Sequence, residues 1–209
     1  MFERFKKLFT GLERAHGQYV AGDLDEKGKK GGKAFIKKAP VTDTLWENHL
    51  LGKDPSIGIV PITDDSSCRW GCIDVDTYPI DHQSIVEEIK KLELPLIVCR
   101  SKSGGAHIFV FLQEFVPAKL VRAKLIEWSA DLGHANTEVF PKQISLNTER
   151  GDVGNFLNLP YFGGDESFRY AFAEDGSSLT VEEFLDNAEK IAITKDQLVR
   201  KKAKREINK

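Results

Sequence analysis

Residues 68–112 constrain this chain more than any other stretch. An apolar run there ends in Asp74-Val75-Asp76, so a single residue separates two carboxylates. In a strand side chains alternate, which puts Asp74 and Asp76 on one face and Ile73 and Val75 on the other. Two acids on one face repel, and desolvating either is costly unless a cation lies between them. A hard divalent ion with oxygen ligands resolves that conflict. A solvated strand end resolves it too, so the pair alone does not decide.

The residues after Asp76 narrow the choice. Ile85, Val86, Ile89 and Leu92 recur at helical spacing after Asp81, a capping residue. Residues 95–99 read as a second strand, Ser101-Lys102-Ser103-Gly104-Gly105 as a turn, and 106–112 as a third strand with His107 near its start. The unit is β-α-β-β. Its turn offers small residues, a lysine and free backbone N–H groups, which suit an anionic phosphate tail. Arg100 and Lys102 flank it, as solvated charges or as contacts for phosphate or template backbone.

The remaining composition is that of an ordinary globular chain. Hydrophobic residues are 41% and charged residues 30% of 209, with a formal net charge of −2. Nucleic-acid contact must therefore come from local patches. No run approaches the roughly 20 apolar residues of a membrane span, and the N-terminus lacks a signal peptide's apolar core. A cytoplasmic protein with no membrane partner is expected. Cys68, Cys72 and Cys99 form no C-x-x-C pair and read as buried packing residues. Cys68, Cys72 and His82 could in principle hold zinc, but their spacing fits no common zinc module.

In chain order, Phe2, Phe5, Leu8, Phe9 and Leu12 predict an amphipathic helix over 2–14. Residues 22–33, rich in glycine and lysine, read as a mobile loop, either a solvated linker or a basic grip on template or triphosphate. Thr42 or Asp43 caps a helix that Gly52 ends, with His49 as a packed residue, and 56–62 form a strand. Residues 117–132 predict a helix. Residues 136–140 form a short strand carrying Glu138, either a third metal ligand or an exposed edge acid. Asp152 and Asp165 lie in glycine-rich turns, where a carboxylate is held less rigidly. Residues 168–172 read as a last strand, 180–189 as a capped helix, and 195–209 as a basic helix-forming tail, either a DNA-binding segment, a linker to a further domain or a frayed, solvated terminus. The division expected is 1–41, 42–190 and 191–209.

The segments CIDVD, SKSGGAHIF, NTEVFPKQ and GNFLNLPYF together resemble the archaeo-eukaryotic primase superfamily of primase-polymerases. The resemblance is nearest to the primase domain of TOTE-type conflict systems and related mobile-element or CRISPR-associated enzymes, and covers residues 42–170. One more residue separates the serine-glycine pair from the histidine here than in the family pattern. The resemblance implies a mixed α/β (α+β) catalytic domain, with an RRM-like antiparallel sheet carrying the acids and an N-terminal α/β module closing over it. It implies two Mg2+ or Mn2+ ions held by Asp74, Asp76 and Glu138, and triphosphate contacts from Ser103, Gly104, Gly105 and His107. Asn158 takes the position of the family's polar residue before a proline. An arginine of some relatives is absent there, leaving Arg150 or Lys142 to substitute. The implied partners are a single-stranded DNA template, a primer, nucleoside triphosphates, and a helicase or CRISPR or replication accessory protein. The implied activity is primer synthesis or DNA extension. The alternatives are a gap-filling repair polymerase with the same site, a metal-dependent nuclease, and a non-catalytic nucleic-acid-binding module.

Overall fold

The β-α-β-β unit is the first part of a longer repeat. The computed structural model describes residues 1–24 and 30–204, the side chains of 23, 24 and 30 excepted. In it the chain runs β4 (Ser67–Val75), α3 (His82–Lys91), β5 (Ile97–Arg100), β6 (Ala106–Pro117), α4 (Ala118–Asp131) and β7 (Glu138–Phe140). The four strands form one antiparallel sheet in the order β5-β6-β4-β7. Each helix thus joins two strands with a third between them, the split β-α-β topology of RRM-like folds. The mixed α+β class expected from the sequence is the one found.

Both faces of this sheet are covered. Ile85, Val86, Ile89, Val121, Leu125 and Trp128 of α3 and α4 pack on Ile73, Val75, Ile108 and Val110. A β-carbon at Gly71 would lie 2.7 Å from Leu125 Cδ1 and 2.8 Å from Val121 Cγ1, so α4 rests on bare backbone there. Trp70, Cys72, Phe109 and Phe111 meet a second core on the opposite face. That core comes from α1 (Phe2–Leu8), α2 (Asp43–Leu50), α5 (Val181–Ile191) and a second sheet. The second sheet has β1 (His16–Leu24), β2 (Lys30–Lys37), β3 (Ser56–Ile59) and β8 (Leu157–Asn158) in the antiparallel order β2-β1-β3-β8.

Several sequence expectations are corrected. Residues 22–24 and 30–33 are strand, not loop: Ala21 pairs with Gly32 and Val20 with Lys33. Residues 31–37 lie at a sheet edge and are mostly exposed, so no apolar alternation marks them; residues 25–29 of the expected loop lie outside the described residues. Helix α1 stops at Leu8, and Leu12 is buried beyond it, its N–H donating to Val60 O at 2.9 Å. Strand β3 ends at Ile59. Residues 170–172 only graze β5, with Arg100 N donating to Tyr170 O and Phe172 N to Val98 O. The basic C-terminal segment forms α6 (Lys195–Arg200) and no more among the described residues. Leu198 is buried in the core under α4, while Lys202 pairs with Glu127 and Lys204 with Glu93; residues 205–209 of that tail lie outside the described residues.

The capping predictions are met. Thr42 accepts from Leu45 N, Asp81 from Ser84 N, and Thr180 and Glu183 form a reciprocal capping box. The zinc reading is not met. A register shift between Cys68 and Trp70 sends Cys68 into the core under α4 and Cys72 into the opposite one, so the two thiols cannot share an ion. Among the described residues no helix is long and apolar enough to cross a membrane.

Candidate active site

Asp74 is the penultimate residue of β4, and strand pairing sets it directly opposite His107 on β6 and Glu138 on β7. Residues paired this way share a face. The three therefore form a row across the sheet, on the side that carries Trp70 and Cys72. The His107 and Asp74 side chains are 9% and 15% exposed, with Nε2 3.4 Å from Oδ1. That spacing is ion-pair reach without hydrogen-bond geometry, and Asp74 Oδ1 is left buried with no donor. A buried charged oxygen without a donor is costly, and a cation is the group that would relieve it.

Asp76 follows the last strand residue. Its Oδ1 lies 3.2 Å from the Tyr78 hydroxyl and 3.4 Å from Ser103 Oγ, both donors, which ties the acid to the 101–105 turn. Ser101 N donates to Gly105 O, and Gly104, at φ +89°, donates its N–H to Ser101 O. The expectation of free N–H groups is therefore corrected at Gly104: the turn closes on itself. Gly105 is needed for a different reason. A β-carbon there would lie 2.4 Å from Val75 O and 2.8 Å from Asp76 Oδ1, so only glycine lets the turn approach the end of β4. His82 on α3 holds the same turn: its Nε2 lies 2.9 Å from Gly105 O, and because a carbonyl only accepts, that nitrogen carries the proton. The ring stacks on Phe172 at 4.8 Å.

The flanking cations are placed unequally. Arg100 has a buried Nε with no partner. Lys102 stands 4.1 Å over the ring of Tyr19, a cation–π contact that ties the turn to β1 of the other sheet. Lys142 pairs with Glu138 at 2.7 Å, and Glu138 is 63% exposed. Asn158 lies in the second sheet opposite Gly58, its Oδ1 buried without a donor. Arg150 sits exposed in a turn that its N–H closes by donating to Asn147 Oδ1. The rival acids serve the backbone: Asp152 accepts from Asn147 N at 3.2 Å and Asp165 from Val181 N at 2.7 Å.

Sequence reasoning passed over Arg169. It is 4% exposed, lies over Phe162 at 5.1 Å and Phe168 at 5.9 Å, and its Nε and Nη1 have no hydrogen-bond partner. Burial pulls its pKa down to about 10, opposed by Tyr19 and Asp54. Ala171 bridges to Cys99, the residue paired with His107, so Arg169 falls two residues further along, level with Ser101. Nothing in FRYAF signals this, because the placement depends on a contact between segments about seventy residues apart.

The donor chemistry around β4 suits a hard cation: carboxylate oxygens, one of them buried and unpartnered. Among the described residues no three His, Cys, Asp or Glu side chains converge as a metal cluster, and the Glu138 carboxylate is held by Lys142.

A family profile described as the TOTE conflict system, Archaeo-Eukaryotic Primase domain, matches residues 17–197. No curated protein matches the chain.

Proposed function

The chain belongs to the archaeo-eukaryotic primase family of TOTE conflict systems, a primase-type nucleotidyl-transfer family, and on that premise we propose that it joins a 3′-hydroxyl, which gives up its proton, to the α-phosphate of a nucleoside triphosphate under the direction of a template, breaking the α–β phosphoanhydride bond and releasing pyrophosphate. The observation that carries this reading is the row Glu138–Asp74–His107 with its unpartnered buried carboxylate oxygen, abutting the Gly105 turn.

Asp74, Asp76 and Glu138 would hold two divalent ions, Mg2+ or Mn2+. Such ions, when bound, lower the pKa of an attacking hydroxyl and neutralise charge on the triphosphate. The chain's own groups would do the positioning. Ser103 and His107 donate to the phosphates, and His107 orients rather than acts as a base. Arg100 and Arg169 present buried guanidinium N–H groups that no protein acceptor satisfies, and a phosphate oxygen satisfies them. Lys102 and Lys142 add positive charge at the rim. Asn158 offers a buried acceptor, which suits a hydroxyl or amino group of the nucleotide better than a phosphate.

The test is incubation with a single-stranded DNA template, labelled nucleotides and Mn2+ or Mg2+, with and without a primer. Products that lengthen with the template support the reading. Their appearance without primer means primer synthesis, and only with primer, extension. A shortened template and no product would replace it with a nuclease.

A further inference from the structure

Strand β2 carries a feature that the active site does not explain. Its residues Lys33, Phe35 and Lys37 pair opposite Val20, Gln18 and His16. Alternation puts these three side chains on one face, about 6.5 Å apart along the strand. All three are exposed, Phe35 at 45%, and Val20 opposite Lys33 is 39% exposed. None of the ion pairs among the described residues involves Lys33, Lys37 or the adjoining Lys38. The strand is the outer one of its sheet; Tyr19, which lies under Lys102, pairs with Ala34 and so faces the other side of the hairpin.

Edge lysines have a plain use, which is to discourage another strand from adding to the sheet. That use accounts for Lys33 and Lys37 but not for an exposed phenylalanine between them, which invites association. Cations alternating with an aromatic ring match instead the two chemistries of a single nucleic-acid strand, phosphates and flat bases.

We propose that the β1-β2 hairpin is a binding surface for the single-stranded DNA template, with Lys33 and Lys37 on phosphates and Phe35 stacked on a base, a role that rests on the primase reading above. The surface lies outside the row of acids and binds the strand without taking part in the chemistry.

The experiment is fluorescence anisotropy of a labelled single-stranded DNA on the full chain over a series of salt concentrations, with a single-stranded RNA of the same sequence in parallel. Phe35→Ala should weaken DNA binding roughly five-fold or more. Lys33→Gln with Lys37→Gln should flatten the plot of log affinity against log salt by about 0.7 per lysine. Nucleotide affinity measured without DNA should stay at the wild-type value for both. The three positions are exposed, and a circular-dichroism melt checks that each variant folds. As a second measurement, a benzophenone amino acid in place of Phe35 should crosslink to the DNA. Wild-type affinity and slope in the variants, effects confined to RNA, or a crosslink to protein alone would overturn the hairpin assignment and leave the primase reading standing. A wild-type chain that binds no single strand would overturn both.

Discussion

Replacing Asp74 with asparagine keeps the side chain's shape and removes its charge, which separates stability from function. The carboxylate is 15% exposed and its Oδ1 has no donor. Leaving a neutral buried acceptor unsatisfied costs about 1–3 kcal/mol and a charged one more, and His107 at 3.4 Å makes no hydrogen bond that would offset the difference. With metal chelated, removing the charge should therefore stabilise the fold by about 1 kcal/mol, which raises the melting temperature of a chain this size by about 2–4 °C. Mn2+ at one hundred times its Kd should stabilise the wild type by about 2.7 kcal/mol, and the variant by much less. The order of melting thus inverts: Asp74→Asn melts higher in EDTA and lower in Mn2+. Differential scanning fluorimetry under the two conditions reads both. A variant that melts below the wild type in EDTA would mean the carboxylate is already satisfied by protein. An undiminished Mn2+ shift would remove Asp74 from the metal site.

Three further outcomes are expected. Gly105→Ala puts a methyl group 2.4 Å from Val75 O, so the turn must move away from Asp76; a loss of about 1–3 kcal/mol in urea unfolding and of most nucleotide incorporation should result, and wild-type behaviour would mean the turn is slack. Arg169→Met removes a buried guanidinium with two unpartnered nitrogens, so nucleotide affinity should fall about ten-fold or more without loss of stability; unchanged affinity in a titration would make Arg169 a packing residue. His49 is a pH-sensitive element of the fold: its Nε2 donates to Pro160 O at 2.8 Å, its Nδ1 accepts from Ile57 N at 3.1 Å, and burial lowers its pKa from 6.5 to about 4. Above pH 6.5 both folded and unfolded states are neutral; below it the unfolded chain takes the proton first, so stability should fall by about 2 kcal/mol by pH 5, and an identical pH slope in His49→Gln would refute this.

The central unit was legible because its strands and helices alternate between periods of two and 3.6 with turn residues between them. Asp81 as a cap, Gly104 at a positive φ and the α3 stripe of Ile85, Val86 and Ile89 all arise from local chemistry. The N-terminal hairpin was illegible for the converse reason: Gly31-Gly32-Lys33 lies on an exposed edge and buries nothing that would mark it as strand. Helix α1 is shorter than the apolar spacing predicts because Phe9 and Leu12 keep facing the core after the helix has ended. Around the candidate site, the residue types were visible but the register was not. No spacing in the chain indicates that Asp74 faces both His107 and Glu138, that Tyr78 and His82 brace the turn, or that Arg169 comes level with Ser101, since each depends on pairing between distant segments.

The most direct test of the acidic row as the metal site is template-directed incorporation of labelled nucleotides by the wild type beside Asp74→Asn, Asp76→Asn, Glu138→Gln and Asp165→Asn, with Mn2+ and saturating template and primer. Synthesis is expected from the wild type and from Asp165→Asn, with severe loss in the other three and their folds intact. Synthesis by Glu138→Gln together with a dead Asp165→Asn would contradict the assignment of the row across the sheet.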